Sequence, residues 1–483
     1  MVQFFKIASW DRLFILLGLY ALMQIPFLLF GEVVQVPEIL WIRLGERMAD
    51  GWKLYANIAD ETGPIPALVY ALLAKLNLAD SQVLRYLGSG LILMQAFLLN
   101  RIGQRYLLFN DRHYLLALCY LIMSHVGPDA VSLSPALFSV TFLILAYGQI
   151  FKIIKDGAAA DEAMYLGLLL GMATLCYQQS AIFILPFYLS ALFFSGLRLN
   201  QYLLILVAMC LPVAGVYAFY LIGGGETDFW RCFLAPFRIG FLVSWTGWEF
   251  IFGFGGFLML IALLGWVVAN QNSRVNFQRL SYSIFFFGLI VSGLILVLGT
   301  IQTTSQVLFV VPHAAFFLGQ YLQYARSGFA RELMFLMVLV FMLTGFFAMA
   351  NPKFGRQIMG HSLFLEEPPK GFVANFRNKS ILLLSNDFRY YKYNKPATRF
   401  FKFYLSDIKP TDSQTYEGLI YWYQNLAENN PVLIYDPSGI IPPLAVRIPE
   451  FGKCYAASFY PGLYEKLPGK KFAKPQNNNL LSR

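Results

Sequence analysis

Long apolar runs recur along the first 350 residues, each closed by a short polar or basic loop. Runs of this length can cross a hydrocarbon core of about 30 Å as helices, and their regular recurrence predicts an α-helical bundle, not a barrel. Eleven spans are expected, near 13–30, 84–100, 113–125, 132–151, 164–177, 180–196, 202–222, 249–269, 281–299, 306–323 and 331–349. Between the first two lies a segment of mixed character, 31–82. Within it, PEILWIRLGERMAD spaces Ile39, Leu40, Ile42, Leu44 and Met48 among charges, as a helix lying in the membrane interface would. The following apolar stretch, Pro64 to Leu76, is too short to span and reads as re-entrant or interfacial.

Loop charge orients this arrangement. Arg101, Arg105 and Arg112, then Lys152 and Lys155, Arg198, Arg274 and Arg279, and Arg326 and Arg331 fall in loops on one side, which the positive-inside rule makes cytoplasmic. The opposite short loops, 126–131 and 300–305, carry no Lys or Arg. Counting 64–76 as a full span would invert this pattern. The first run follows Lys6 and Arg12 and lacks a small-residue cleavage site, so it reads as an uncleaved anchor with a cytoplasmic N-terminus. Composition agrees: 58% of residues are hydrophobic and 13% charged, against about 25% charged in soluble domains. The expected location is the plasma (inner) membrane, multi-pass.

The character changes near residue 351. The segment 351–483 contains 18 Lys and Arg against 10 Asp and Glu, a net +8 of the chain's +10. SILLLSND (380–387) and PVLIYDP (431–437) read as buried strands and TYEGLIYWYQNLAEN (415–429) as the helix between them, predicting a small α/β domain. By this topology it is extracytoplasmic, or periplasmic. The division expected is therefore a transmembrane domain, 1–350, and a C-terminal domain, 351–483.

The four histidines are scattered without metal spacing. Cys232 and Cys454 lie in segments where a disulfide is permitted, though spacing alone argues little for it. The acids on the outer side are the first candidates for chemistry, because an ionisable group near a membrane is costly unless it faces a cavity or the interface. Glu38 begins the interfacial helix, Asp60 and Glu61 precede a Pro-started helix, and Asp129 opens the fourth span. Each position also suits a helix N-terminus with no further role.

Several patterns then occur in one order. PEILWIRLGERMADGWKLYANIADETGPIPALVYALLAKL resembles the first outer loop of the GT-C glycosyltransferases, a superfamily that includes protein mannosyltransferases and aminoarabinose transferases. VLRYLGSGLILMQAFLLNRIGQR resembles their next span, and HVGPDAVSLSPALFSVTFLILAYGQIFK their second outer loop. YLGLLLGMATLCYQQSAIFILPFYL is similar to a Gly-rich span with a polar turn, and TIQTTSQVLFVVPHAAFFLGQYL to the late segment with a Pro inside a helix. The resemblance covers roughly residues 10–350. Two departures are visible: Pro37-Glu38 stands where many relatives have Asp-Glu, and Gln302 and Gln306 stand where a Tyr or His is usual.

The resemblance implies transfer of a sugar from a polyprenyl-phosphate donor, at the outer membrane face, to a lipid, glycan or protein acceptor. Nucleic acid has no place in this scheme. Glu38 is the expected general base, since a carboxylate against apolar walls gains basicity, and Asp129 would orient donor or acceptor. Lys53, Arg85, Arg231 and Arg238 could meet the leaving phosphate, although snorkelling cations would look the same. Tyr55, Asp60, Glu61, Gln302 and Gln306 complete the expected substrate-binding set. Trp230, Trp245 and Trp248, in the Gly-rich loop 223–250, fit either a cover over a sugar or an interfacial aromatic belt. Some members of the class hold a divalent metal through an acidic pair near the first loop. Only Glu38 is so placed here, and no essential metal or other cofactor is expected. The competing classes are a transporter or flippase of a lipid-linked solute and a membrane scaffold.

Overall fold

The computed structural model describes residues 3–7, 9–25, 34–109, 113–157, 159–223, 226–237, 253, 255–272, 276–298, 304–351, 365–385, 387–399, 401 and 416–472. The chain divides into two units. The first comprises Met1–Glu38, Glu61–Val69 and Leu78–Leu363, and the second Ile39–Asp60, Tyr70–Asn77 and Phe364–Arg483.

The first unit is a helical membrane bundle, and helix occupies part of every expected span. Among the described residues, five helices are long and apolar enough to cross a membrane by themselves: Ser81–Arg105, Pro135–Asp156, Leu199–Ile222, Asn276–Leu296 and Gly328–Phe347. Others are short. Leu115–Met123 would reach only about 14 Å, yet all nine of its residues are buried. Backbone that ends at membrane depth is tolerable when protein, not lipid, surrounds it.

Close helix approach comes from small residues. A Cβ on Gly167 would collide with the Ile205 carbonyl, and one on Gly171 with the Met209 carbonyl, so Ala160–Cys176 packs backbone to backbone on Leu199–Ile222. Gly265 meets the Phe317 carbonyl in the same way. Cys119 and Cys176 are buried thiols and Cys210 is exposed.

The second unit holds a five-stranded sheet in the order β2-β1-β3-β5-β4. Its strands are β1 (Ser380–Leu383), β2 (Lys395–Pro396), β3 (Leu433–Tyr435), β4 (Tyr455–Ala457) and β5 (Leu463–Lys466). β1 runs parallel to β2 and β3, with Ile381 opposite Leu433. β5 is antiparallel to both β3 and β4. The Tyr416–Asn429 helix crosses between the parallel strands and buries Trp422 and Leu426 against Ile434, Ile441 and Leu444. The two strands and the helix anticipated from their apolar patterns are thus present, within a sheet of larger extent.

The Val36–Ala49 helix is held by contacts with protein. Ile39, Leu40, Trp41, Ile42 and Leu44 are all buried, and the arginines between them find protein carbonyls. Arg43 donates from Nε to Tyr391 O (2.7 Å) and from Nη2 to Lys392 O (2.8 Å), while Arg47 donates to Pro396 O. Burial lowers the Arg47 pKa, opposed by the charges of Asp50 and Glu46. Gly45 permits contact with the Tyr70 backbone, and Trp41 stacks on Tyr70 at 5.9 Å. The Pro64–Lys75 helix exposes Leu68 and Leu72 one turn apart, an apolar stripe on a helix of 12 residues.

Trp422→Ala should cost the second unit about 3–5 kcal/mol, the usual range for emptying a large aromatic site. Limited proteolysis in detergent, with thermal unfolding followed in parallel, should show the region after residue 364 becoming protease-sensitive while the bundle stays resistant.

Candidate functional site

The polar centre of the first unit is an ion pair. Glu38 is fully buried and Arg85 is 4% exposed. Arg85 donates from Nε to Glu38 Oε1 (2.8 Å) and from Nη2 to Oε2 (2.7 Å), a two-pronged geometry that a lysine could not reproduce. Ser132 Oγ also donates to Oε1, and the Gln35 backbone N–H donates to Oε2 at 3.1 Å. Both carboxylate oxygens are therefore engaged twice.

Local structure makes this meeting possible. Asp80 caps the Ser81–Arg105 helix by accepting from Gln82 N, which sets Arg85 in its second turn. Leu133 N donates to Leu84 O (3.0 Å), laying the 131–133 backbone along that helix. A Cβ at position 88 would strike the Val131 carbonyl and the Ser132 backbone, so Gly88 is what lets Ser132 come within reach of Glu38.

From Ser132 the cluster extends through the second outer loop to the late segment. Asp129, on the short Pro128–Val131 helix, is buried, and its Oδ2 accepts from Ser305 N at 3.1 Å. Ser305 and Gln306 lie on the 3-10 turn Thr304–Phe309. Gln306 Nε2 donates to Tyr177 OH (3.0 Å), and Tyr177 OH donates to Gln179 Oε1 (3.0 Å). Gln178 Nε2 donates to the Glu61 carbonyl (2.8 Å), and the absence of a side chain on Gly63 admits the Leu175 and Cys176 carbonyls beside it. The Glu61 side chain is itself buried.

Five segments far apart in sequence thus meet: the start of the first outer loop, the Glu61 turn, the outer end of the second span, the second outer loop and the late segment. The polar turn 177–180 links the last of these back to Glu61. Of the residues expected to form the site, Glu38, Glu61, Arg85, Asp129 and Gln306 fall in this cluster. Lys53, Tyr55 and Asp60 belong to the second unit, where Lys53 is exposed and Tyr55 is buried with φ 64°. Arg231 lies half-buried on the Glu226–Phe233 helix. Arg238, Gln302, Trp245 and Trp248 lie outside the described residues.

The hydroxyl and amide partners were not singled out from sequence: Ser132, Ser305, Tyr177, Gln178 and Gln179. A run of four polar residues between two apolar spans, YQQS, is the signal that could have found three of them. Among the described residues no group of three His, Cys, Asp or Glu side chains is disposed to hold a metal.

Breaking a buried, hydrogen-bonded ion pair leaves one charge uncompensated, at a cost of about 3–5 kcal/mol. Arg85→Ala should lose stability on that scale in detergent unfolding. The double change Glu38→Gln with Arg85→Met should recover most of it; additive losses would contradict the coupling.

No protein-family model matches the chain, and no curated protein matches it in sequence. Among solved structures it is similar to the archaeal oligosaccharyltransferase AglB from Archaeoglobus fulgidus, determined in complex with an inhibitory peptide and a dolichol-phosphate. The two share 11% identity over 97% of this chain and 76% of that one, with a TM-score of 0.51. At this identity the likeness is one of fold alone: a polytopic helical membrane bundle followed by a small α/β portion.

Proposed function

On the premise of a GT-C fold, we propose that the chain is a membrane glycosyltransferase that moves a sugar from a polyprenyl-phosphate donor to an acceptor at the outer membrane face. The observation that carries this reading is the convergence of Glu38, Arg85, Asp129, Gln306 and the Glu61 turn on one buried polar cluster. One solved structure of similar fold is an oligosaccharyltransferase in complex with a dolichol-phosphate, which supports a lipid-linked donor. Loop charge supports reading the cluster as extracytoplasmic.

In the reaction, the acceptor's nucleophilic atom bonds to the anomeric carbon as the bond from that carbon to the phosphate oxygen breaks. The lipid phosphate leaves with the bonding electrons, and the acceptor's proton passes to a carboxylate. Glu38, the residue first expected in that role, already has its charge matched by Arg85 through both oxygens. Its part is to hold Arg85 and, through Ser132, the second outer loop. We assign the base to Asp129, a buried carboxylate one turn from Ser132 that accepts a hydrogen bond from a neutral backbone amide. Gln306 and the 177–179 turn supply neutral donors and acceptors suited to sugar hydroxyls. We assign Arg231, half-buried on the Glu226–Phe233 helix, to the leaving phosphate.

The test is transfer of labelled sugar from polyprenyl-phosphate donors by purified protein in lipid. Asp129→Asn, isosteric and folded, should lose about 10²–10⁴-fold in kcat, the range for removing a general base. Full activity in that variant would sink the assignment, and failure of the wild type with every donor would favour a transporter.

A further inference from the structure

We infer that the Arg85 guanidinium occupies the place at Glu38 that a divalent cation would otherwise take, so that this site works with a built-in cation. A carboxylate binds a hard cation through its oxygen lone pairs, normally with several more oxygen ligands around the ion. At Glu38 those lone pairs are already used: Oε1 accepts from Arg85 Nε and Ser132 Oγ, and Oε2 from Arg85 Nη2 and Gln35 N. Three of the four bonds at the carboxylate come from nitrogen donors, Arg85 Nε, Arg85 Nη2 and Gln35 N, which carry no free lone pair for a metal ion. A divalent cation entering here would have to displace a buried guanidinium from its two-pronged bond to the carboxylate. The residues present therefore do not fit a metal at this position.

The arrangement also explains the departure in the first outer loop. Where many members of the resembling class carry two adjacent acids, this chain has Pro37-Glu38. A single carboxylate is neutralised in full by one arginine, whereas two would have left a charge unmatched. Arg85 is in this sense a positioning residue: it sets Glu38, and through Ser132 the loop that carries Asp129.

The experiment uses the full chain purified in detergent after exposure to Mn²⁺ and then desalted. Elemental analysis of the wild type should find no stoichiometric metal, and its melting temperature should be the same in EDTA and in millimolar Mn²⁺. An ion held at about 100 times its Kd would move the melting point by several degrees. One metal per chain, or a fall in melting temperature on chelation, would overturn the inference. With Arg85→Ala, the vacated space faces Glu38 and Ser132, and Mn²⁺ should now raise the melting temperature, while Glu38→Gln with Arg85→Ala should not respond. An Arg85→Ala protein indifferent to Mn²⁺ would count against the substitution of one cation by the other; if that variant does not fold, the wild-type measurements decide. The inference rests on the transferase reading only for its last arm, transfer unaltered by EDTA. A wild type inactive in every buffer would sink that reading and leave the metal and melting results to stand.

Discussion

The arrangement of the membrane unit depends on the price of burying Glu38 and Arg85 together. Taking a carboxylate and a guanidinium out of water costs several kcal/mol for each ion, and mutual attraction repays this only when the geometry is good and the remaining lone pairs are met. That requirement reaches outward. Two prongs from Arg85 fix the angle of the Ser81–Arg105 helix relative to Glu38, and the hydroxyl of Ser132 must arrive on a third side. Ser132 can do so only because residue 88 has no side chain and because Leu133 N reaches the Leu84 carbonyl. A glycine and a backbone hydrogen bond are thus as much a part of the ion pair as its two charges. Asp129 inherits its position from the same turn.

Building such a cluster forces irregular backbone into a membrane protein, where an unmet N–H or C=O is expensive. The Gln178–Phe183 and Thr304–Phe309 segments are 3-10 turns, and the Leu115–Met123 helix stops early. Buried glutamines answer this need. Gln178 donates to the Glu61 carbonyl, Gln179 to that of Pro236, Gln95 to that of Leu137 and Gln320 to that of Leu108. The carbonyl of Phe309, which ends the second 3-10 turn, is met by both Ser292 Oγ (2.8 Å) and His313 Nδ1 (3.0 Å). These side chains stand in for the regular ladder that the polar cluster interrupts. They also hold the turn bearing Ser305 and Gln306 in place.

Much of this architecture is legible in the sequence because it rests on apolar periodicity and composition. The helices of the bundle, the strands at 380–383 and 433–435 and the crossover helix ending at Asn429 all follow from local pattern. Pairing is not local. Nothing in the spacing of Glu38 and Arg85 says that they bond, and a cation at the outer end of a span reads equally as a snorkelling side chain. The Val36–Ala49 helix shows the limit from the other side. Its alternation of apolar and charged residues suits a membrane surface, and nothing local shows that Arg43 and Arg47 also donate to carbonyls at Tyr391, Lys392 and Pro396, more than 340 positions away. A neutral residue is harder still to read: Gln306 in place of an aromatic reads as a departure, while its bond to Tyr177 is what ties the late segment to the polar turn.

The pairing also underlies our proposal that Asp129, and not Glu38, takes the acceptor's proton. Glu38 is bonded to Arg85 through both oxygens, and that bond holds the guanidinium and the turn at Ser132 in place. Asp129 is a buried carboxylate whose Oδ2 accepts from the Ser305 amide. In the reaction we propose, Asp129 takes the acceptor's proton as the lipid phosphate leaves. Two acids in one cluster, one bonded to an arginine and one to a backbone amide, are on that proposal given different work.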